Sequence, residues 1–97
     1  MSLYLLEVKL NIEEQEQVMA RVEQVVKEGG TPNAKLIAGP WFSQENPTMW
    51  LLVDNPDLDK SMPELISLYE NGLITDTRVR PMIDFDGLKA AMAKAQG

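Results

Sequence analysis

The sequence predicts an α+β domain with the element order β-α-β-β-α-β and one further helix after the last strand. Three patterns lead to this prediction. Residues 3–10 alternate as a half-buried strand does, and residues 12–28 carry apolar side chains three and four positions apart, as an amphipathic helix does. Residues 36–53 contain two apolar runs joined by a polar turn, and they include Trp41 and Trp50. A chain of 97 residues has room for one core, so residues 1–97 are predicted to be a single domain.

The first predicted strand is Leu3–Leu10. Its core face is wholly apolar or aromatic and its other face is mixed: Tyr4, Leu6, Val8 and Leu10 on the first, Leu3, Leu5, Glu7 and Lys9 on the second. The first helix is predicted over residues 12–28. Asn11 and Glu14 have the spacing of a capping box, and Gly29 and Gly30 supply a left-handed exit into a loop at residues 31–33.

The second and third strands are predicted at residues 34–42 and 48–53, with a turn at residues 43–47. In the second strand, Leu36, Ala38, Pro40 and Phe42 share one face, and Lys35, Ile37, Gly39 and Trp41 share the other. Gly39 and Pro40 indicate a bulge or an edge, because proline cannot donate to a strand ladder. In the third strand, Met49, Leu51 and Val53 lie opposite Trp50 and Leu52.

The second half of the chain is predicted to contain a helix, a strand and a terminal helix. Pro63 is expected in the first turn of the second helix, and Asn71 and Gly72 are expected to end it. The last strand, residues 73–82, carries Thr77, Val79 and Pro81 on one face and Asp76, Arg78 and Arg80 on the other. Asp84 or Asp86 is predicted to cap a helix that ends near residue 95, with Leu88 and Met92 directed inward.

This order of elements is the ferredoxin-like arrangement, in which two helices cover one face of a four-stranded antiparallel sheet. The predicted core face of the sheet consists of Tyr4, Leu6, Val8, Leu36, Ala38, Met49, Leu51, Val53 and Val79. The predicted second face consists of Leu5, Glu7, Lys9, Ile37, Trp41, Trp50, Leu52, Arg78 and Arg80. Two tryptophans and three aliphatic residues on an uncovered sheet predict an interaction surface.

Composition excludes several kinds of function. The net charge of −6 argues against nucleic acid and anionic membranes as partners, and no apolar run is long enough for a membrane span. Glu7 and Lys9 interrupt the first apolar run, which argues against a signal peptide, and the absence of cysteine favours the cytoplasm. Histidine is also absent, so no cofactor or metal site is predicted. The acidic runs at residues 13–16 and 54–59 are interpreted as helix-start and surface residues.

Two compatible interpretations apply to the second face of the sheet. In the first, two copies of the chain stack through this face as a homodimer. In the second, the stacked sheets leave a cavity between them that binds a small molecule. The candidate ligand-binding residues are Leu5, Ile37, Trp41, Trp50, Leu52, Arg78 and Arg80. The two arginines fit a carboxylate or phosphate, but pairing with Glu7 is the simpler explanation. Glu7 is the one weak candidate for a catalytic base, with an ion pair as its alternative.

Short motifs add a family resemblance. The run Gly39-Pro40-Trp41-Phe42, the strand Met49-Trp50-Leu51-Leu52-Val53, the sequence Asp54-Asn55-Pro56 and the later Val79-Arg80-Pro81-Met82 resemble the dimeric α+β barrel superfamily. They are most similar to a small uncharacterised bacterial family of that fold. The resemblance implies a homodimer with stacked sheets. Better-known members of the superfamily carry out cofactor-independent oxygenation, haem degradation, lactone isomerisation or ligand sensing, and the resemblance implies a role of one of these kinds.

Two functions from different classes therefore remain open. The first is a homodimer that binds a small aromatic or acidic molecule between its sheets. The second is a cofactor-independent monooxygenase or isomerase that lacks a catalytic histidine. A regulatory amino-acid-binding module is disfavoured because the turn at Leu10, Asn11 and Ile12 has no glycine. An RNA-binding module is disfavoured because the charge has the wrong sign.

Overall fold

The computed structural model describes residues 2–43 and 46–96 and confirms an α+β architecture. The predicted turn at residues 43–47 includes residues 44 and 45, which lie outside the described residues. The elements are β1 (Leu3–Leu10), a 3₁₀ turn (Ile12–Glu14), α1 (Gln15–Glu28), β2 (Gly30–Thr31), β3 (Ala34–Phe42), β4 (Thr48–Asp54), α2 (Leu58–Glu70), β5 (Ile74–Met82) and α3 (Phe85–Gln96).

The sheet has five strands in the order β2-β3-β4-β1-β5, and neighbouring strands are antiparallel. The prediction of four strands was therefore wrong. The added strand, β2, is the two-residue segment Gly30–Thr31, which pairs with Lys35 and Ala34 at the edge of the sheet. Gly30 has a φ of 128°, a conformation open to glycine, and this lets the chain turn directly from α1 into the sheet.

The start of α1 also differs from the prediction. The side chain of Asn11 accepts a hydrogen bond from the backbone N–H of Glu13 at 3.1 Å, so it caps the 3₁₀ turn that precedes the helix. The capping box does not form, because the Asn11 N–H donates to the carbonyl of Leu73 and the Glu14 carboxylate accepts from Gln17. Asn11 thus joins the start of the first helix to the chain just before β5.

The second helix begins five residues earlier than predicted, at Leu58, and Pro63 lies inside it. Two side chains fix this earlier start. Asp57 accepts from the N–H of Asp59 at 3.1 Å, and Asn55 accepts from the N–H of Asp57 at 3.2 Å. Asn55 is buried, and its amide nitrogen donates to the Ser61 hydroxyl at 2.8 Å. These polar contacts determine where the helix begins, despite the proline in its second turn.

Replacing Asn55 by alanine is expected to lower the free energy of unfolding by about 1–3 kcal/mol, because the Ser61 hydroxyl and the Asp57 N–H lose their hydrogen bonds to a buried side chain. Urea denaturation followed by circular dichroism measures this loss. Asn71→Ala is the matched control, since Asn71 also donates to a serine hydroxyl, that of Ser67, but on the exposed end of α2. Equal losses for the two variants would contradict the structural role given to Asn55.

The hydrophobic core lies between the sheet and the helices α1 and α2. Its most buried members are Val8, Val18, Leu51, Val53 and Ile74, and Leu65 and Leu68 of α2 pack against the buried residues of the sheet. A cavity of about 190 Å³ remains on this side, lined mainly by apolar residues of the sheet and of both helices. Val79 lies on the core face as predicted and lines this cavity, but it remains 41% exposed, so the helices do not cover the whole core face.

Strand β3 carries two irregularities, and these correct the predicted face of Ala38. The pairing with β4 passes from Leu36 to Ala38 and from Ala38 to Trp41, with one extra β3 residue in each interval. The first bulge places Ala38 opposite Leu52, on the face away from the helices, rather than in the core. The second bulge includes Gly39 and Pro40, where the sequence predicted an irregularity.

The last helix, α3, begins as predicted but does not pack as predicted. Asp84 caps it by accepting from the N–H of Gly87 at 2.7 Å. Leu88 and Met92, expected to point inward, are exposed, and Phe85 is 71% exposed. The Cα radius of gyration is 15.1 Å, where a compact chain of this length has about 12–13 Å. The helix therefore extends away from the rest of the chain.

Candidate functional site

The candidate site is the face of the sheet turned away from α1 and α2, here called the open face. The register of the strands arranges its side chains in rows that cross the sheet. One row contains Trp41, Trp50, Glu7 and Arg78, and the next contains Ala38, Leu52, Leu5 and Arg80. The outer rows contain Lys9 with Thr48 and Asp76, and Leu3 with Lys35, Asp54 and Met82. Strand pairing thus brings together the residues predicted from alternation, except Ile37.

Glu7 lies at the centre of the charged part of the open face. One of its carboxylate oxygens, Oε2, is 3.5 Å from Nη2 of Arg80 and 3.8 Å from Nε of Arg78. The Glu7 side chain is mostly covered, whereas that of Arg78 is 66% exposed. The geometry therefore favours the ion-pair interpretation of Glu7 over a catalytic base.

The two tryptophans are direct partners across β3 and β4. Trp41 is 54% exposed, and Trp50, nearer the middle of the sheet, is half-buried. The guanidinium carbon of Arg80 lies 5.7 Å from the centroid of the Trp50 ring, within the range of a cation–π contact. The aromatic and cationic halves of the open face therefore meet at Trp50 and Arg80.

Two of the predicted ligand-binding residues, Leu5 and Leu52, are paired in the middle of the open face. Ile37 is not part of a row, because it is the extra residue in the first bulge of β3. Alternation missed Ala38, which the bulge moves to this face, and Met82, which lies opposite Leu3. The Gly39-Pro40 pair was the signal that strict alternation would fail in β3.

The charge of the open face differs from that of the whole chain. It carries four basic residues, Lys9, Lys35, Arg78 and Arg80, and three acidic ones, Glu7, Asp54 and Asp76. Its formal charge is therefore +1, whereas the chain as a whole has a net charge of −6. Two copies that meet through this face repel each other less than two copies that meet through any more acidic surface.

Within residues 2–43 and 46–96, no group of three or more acidic side chains is placed to hold a metal ion. The acidic residues at 13–16 and 54–59 do not converge on a common point there. In the same part of the chain, no helix has both the length and the apolar character to cross a membrane.

Comparisons with protein-family models, with curated proteins and with solved structures found no match. The resemblance to the dimeric α+β barrel superfamily therefore stays a prediction from short motifs.

Proposed function

We propose that the protein is a homodimer whose two open faces stack as in a dimeric α+β barrel, and that a small aromatic carboxylate binds between them. The order of the four long strands, β3-β4-β1-β5, supports a ferredoxin-like sheet suited to this stacking. The observation that carries the proposal is the row Trp41, Trp50, Glu7 and Arg78 on the open face, with the guanidinium carbon of Arg80 5.7 Å from the Trp50 ring centroid.

The chemistry of this row selects the ligand class. Trp50 and Trp41 offer flat apolar surfaces on which an aromatic ring can stack. Arg78 approaches Glu7 through Nε, which leaves its two terminal nitrogens for a bidentate contact with a carboxylate. The single carboxylate of Glu7 does not neutralise both guanidinium groups, so an anionic ligand completes the charge balance.

Binding is favoured here over the alternative of a cofactor-independent monooxygenase or isomerase. That alternative assigns proton transfer to Glu7, which the two arginines hold as an ion pair. A carboxylate in that arrangement orients the arginines for ligand contact. The proposed role of Glu7 is therefore to position Arg78 and Arg80.

Benzoate is expected to quench tryptophan fluorescence saturably, and Arg78→Gln is expected to raise its Kd about 10- to 100-fold. The loss of one charged hydrogen-bonding group is worth roughly 1.5–3 kcal/mol. Fluorescence titration measures both Kd values, with light scattering to confirm the dimer in each sample. Arg21→Gln on α1 is the matched control, since Arg21 lies on the helix side and should leave the Kd unchanged.

Two results would count against the proposed ligand class. Benzamide binding as tightly as benzoate would remove the role of the carboxylate. An unchanged Kd in Arg78→Gln would remove Arg78 from the site. A monomer at micromolar concentration would remove the stacked arrangement itself.

A further inference from the structure

A second exposed apolar surface, besides the open face, lies on the C-terminal arm. The arm is defined as residues 83–96, which comprise α3 and the two residues before it. Its large apolar side chains are exposed: Ile83 61%, Phe85 71%, Leu88 44% and Met92 53%. Phe85, Leu88 and Met92 are spaced by three and four residues, so they form one stripe on α3. A helix of 12 residues is marginal in water without tertiary packing. The stripe therefore requires a surface to pack on.

The arm follows directly from the Leu3 and Met82 end of the open face. Met82, the last residue of β5, lies opposite Leu3 on the open face. Ile83 follows it directly, and Phe85 begins α3 two residues later. The apolar band thus runs from the last row of the open face into the stripe of the helix. Continuity of this kind points to one shared interface rather than two separate ones.

The arm does not cover the open face of its own chain. The sheet is roughly 30 Å long, from nine-residue strands at about 3.3 Å per residue, whereas the longest dimension of the molecule is 52 Å. The start of α3 is fixed by the cap from Asp84 to Gly87 and by the hydrogen bond from the Leu88 N–H to the Asp84 carbonyl. The helix therefore extends past the end of the sheet, and its apolar stripe stays exposed in a single chain.

The area of the interface supports the same conclusion. Four strands about 4.8 Å apart and eight residues long give the open face a flat footprint of roughly 500 Å². Stable interfaces bury about 600–1,000 Å² of accessible surface on each partner, so contacts beyond the sheet favour a stable dimer. The α3 helix, about 18 Å long and roughly 10 Å wide, adds a footprint of about 180 Å². The arm therefore enlarges the area that each copy can bury.

We infer that the C-terminal arm of each copy packs across the Leu3 and Met82 end of its partner's open face, so that Phe85, Leu88 and Met92 close that end of the space between the sheets. This inference rests on the proposed stacking of the two open faces. It adds that the partner supplies part of the wall of the binding site. Each copy then donates one arm and receives one.

Cross-linking between two different chains tests the arm. The chain has no cysteine, so each variant carries a single reactive thiol. An isotopically heavy chain carries Leu3→Cys and a light chain carries Leu88→Cys. The two chains are mixed and treated with a short bismaleimide. The expected product contains one heavy and one light chain, as read by mass spectrometry. Lys94→Cys, on the opposite side of α3 from the stripe, is the matched control and should give about tenfold less product.

Light scattering on the same samples separates the two proposals. If the sample is a dimer but Leu88→Cys gives no higher yield of the heavy–light product than the Lys94→Cys control, the proposed position of the arm is wrong. The proposed stacking of the sheets is not affected by that result. A cross-link formed within single chains of a Leu3→Cys and Leu88→Cys double variant would show that the arm folds onto its own sheet, which also overturns it. A monomeric wild-type chain would overturn the stacking and the arm together.

Discussion

Replacing Leu52 by aspartate is expected to convert the proposed dimer into a folded monomer. Leu52 lies in the middle of the open face, with Ala38 on one side of it and Leu5 on the other. In the stacked dimer each copy would bury one carboxylate among apolar side chains. An uncompensated buried charge costs about 3–5 kcal/mol, which weakens association by roughly two to four orders of magnitude.

The monomer itself should survive this change. The open face has no helix over it within the described residues, and the side chain of Leu52 is only half-buried in a single copy. Light scattering after gel filtration measures the change in mass, and circular dichroism shows that the secondary structure is kept. Ile66→Asp, an equally severe change at an exposed position of α2, is the control and should remain a dimer. A dimer of Leu52→Asp with unchanged affinity would show that the open face is not the interface.

Periodicity was sufficient to predict most of this sheet. The bounds of β1 and β3 were predicted correctly, because alternation in Leu3–Leu10 and Ala34–Phe42 is regular enough to define strands. The candidate site follows from the same two-residue period. The alternation of side chains along each strand predicts Glu7, Trp50 and Arg78 on one face, and the strand register brings them into one row.

Alternation could not predict the local exceptions, because the bulges and β2 depend on pairing between strands and the start of α2 depends on side-chain hydrogen bonds. The first bulge in β3 moves Ala38 to the open face, and the second restores the alternation, so Trp41 lies on the predicted face. The start of α2 depends on Asn55 and Asp57, whose side-chain hydrogen bonds outweigh the proline signal at residue 63. Strand β2 is two residues long and exists because it pairs with β3, which no local pattern indicates.

The C-terminal helix shows a different limit of sequence reasoning. The amphipathic spacing of Leu88 and Met92 predicts a stripe that faces the core. The helix does form, with Asp84 as its cap. The stripe is nevertheless exposed in a single chain. Amphipathicity indicates that a helix face needs a partner, but it does not indicate whether that partner is the same chain or another copy.

The largest loss of stability is expected from Gly30→Ala. Gly30 has a φ of 128°, and a Cβ atom there would collide with the carbonyl oxygen of Ala34 and lie 2.8 Å from the backbone nitrogen of Leu36. Backbone atoms held in a ladder cannot rotate away, so the edge strand β2 would have to separate from β3. We expect the free energy of unfolding to fall by at least about 3 kcal/mol, from the strained backbone and the lost pairing together.

A matched substitution one residue earlier isolates this effect. Gly29 also has a positive φ, 72°, but a Cβ atom there meets nothing within 4 Å, so Gly29→Ala should cost only about 1–2 kcal/mol from the left-handed backbone. For a domain of this size, 1 kcal/mol corresponds to a change in Tm of about 4–8 °C. Thermal unfolding should therefore separate the two variants clearly. Equal Tm values would mean that β2 contributes nothing to stability. The pairing of β2 with β3 would then not fix the end of α1 to the sheet.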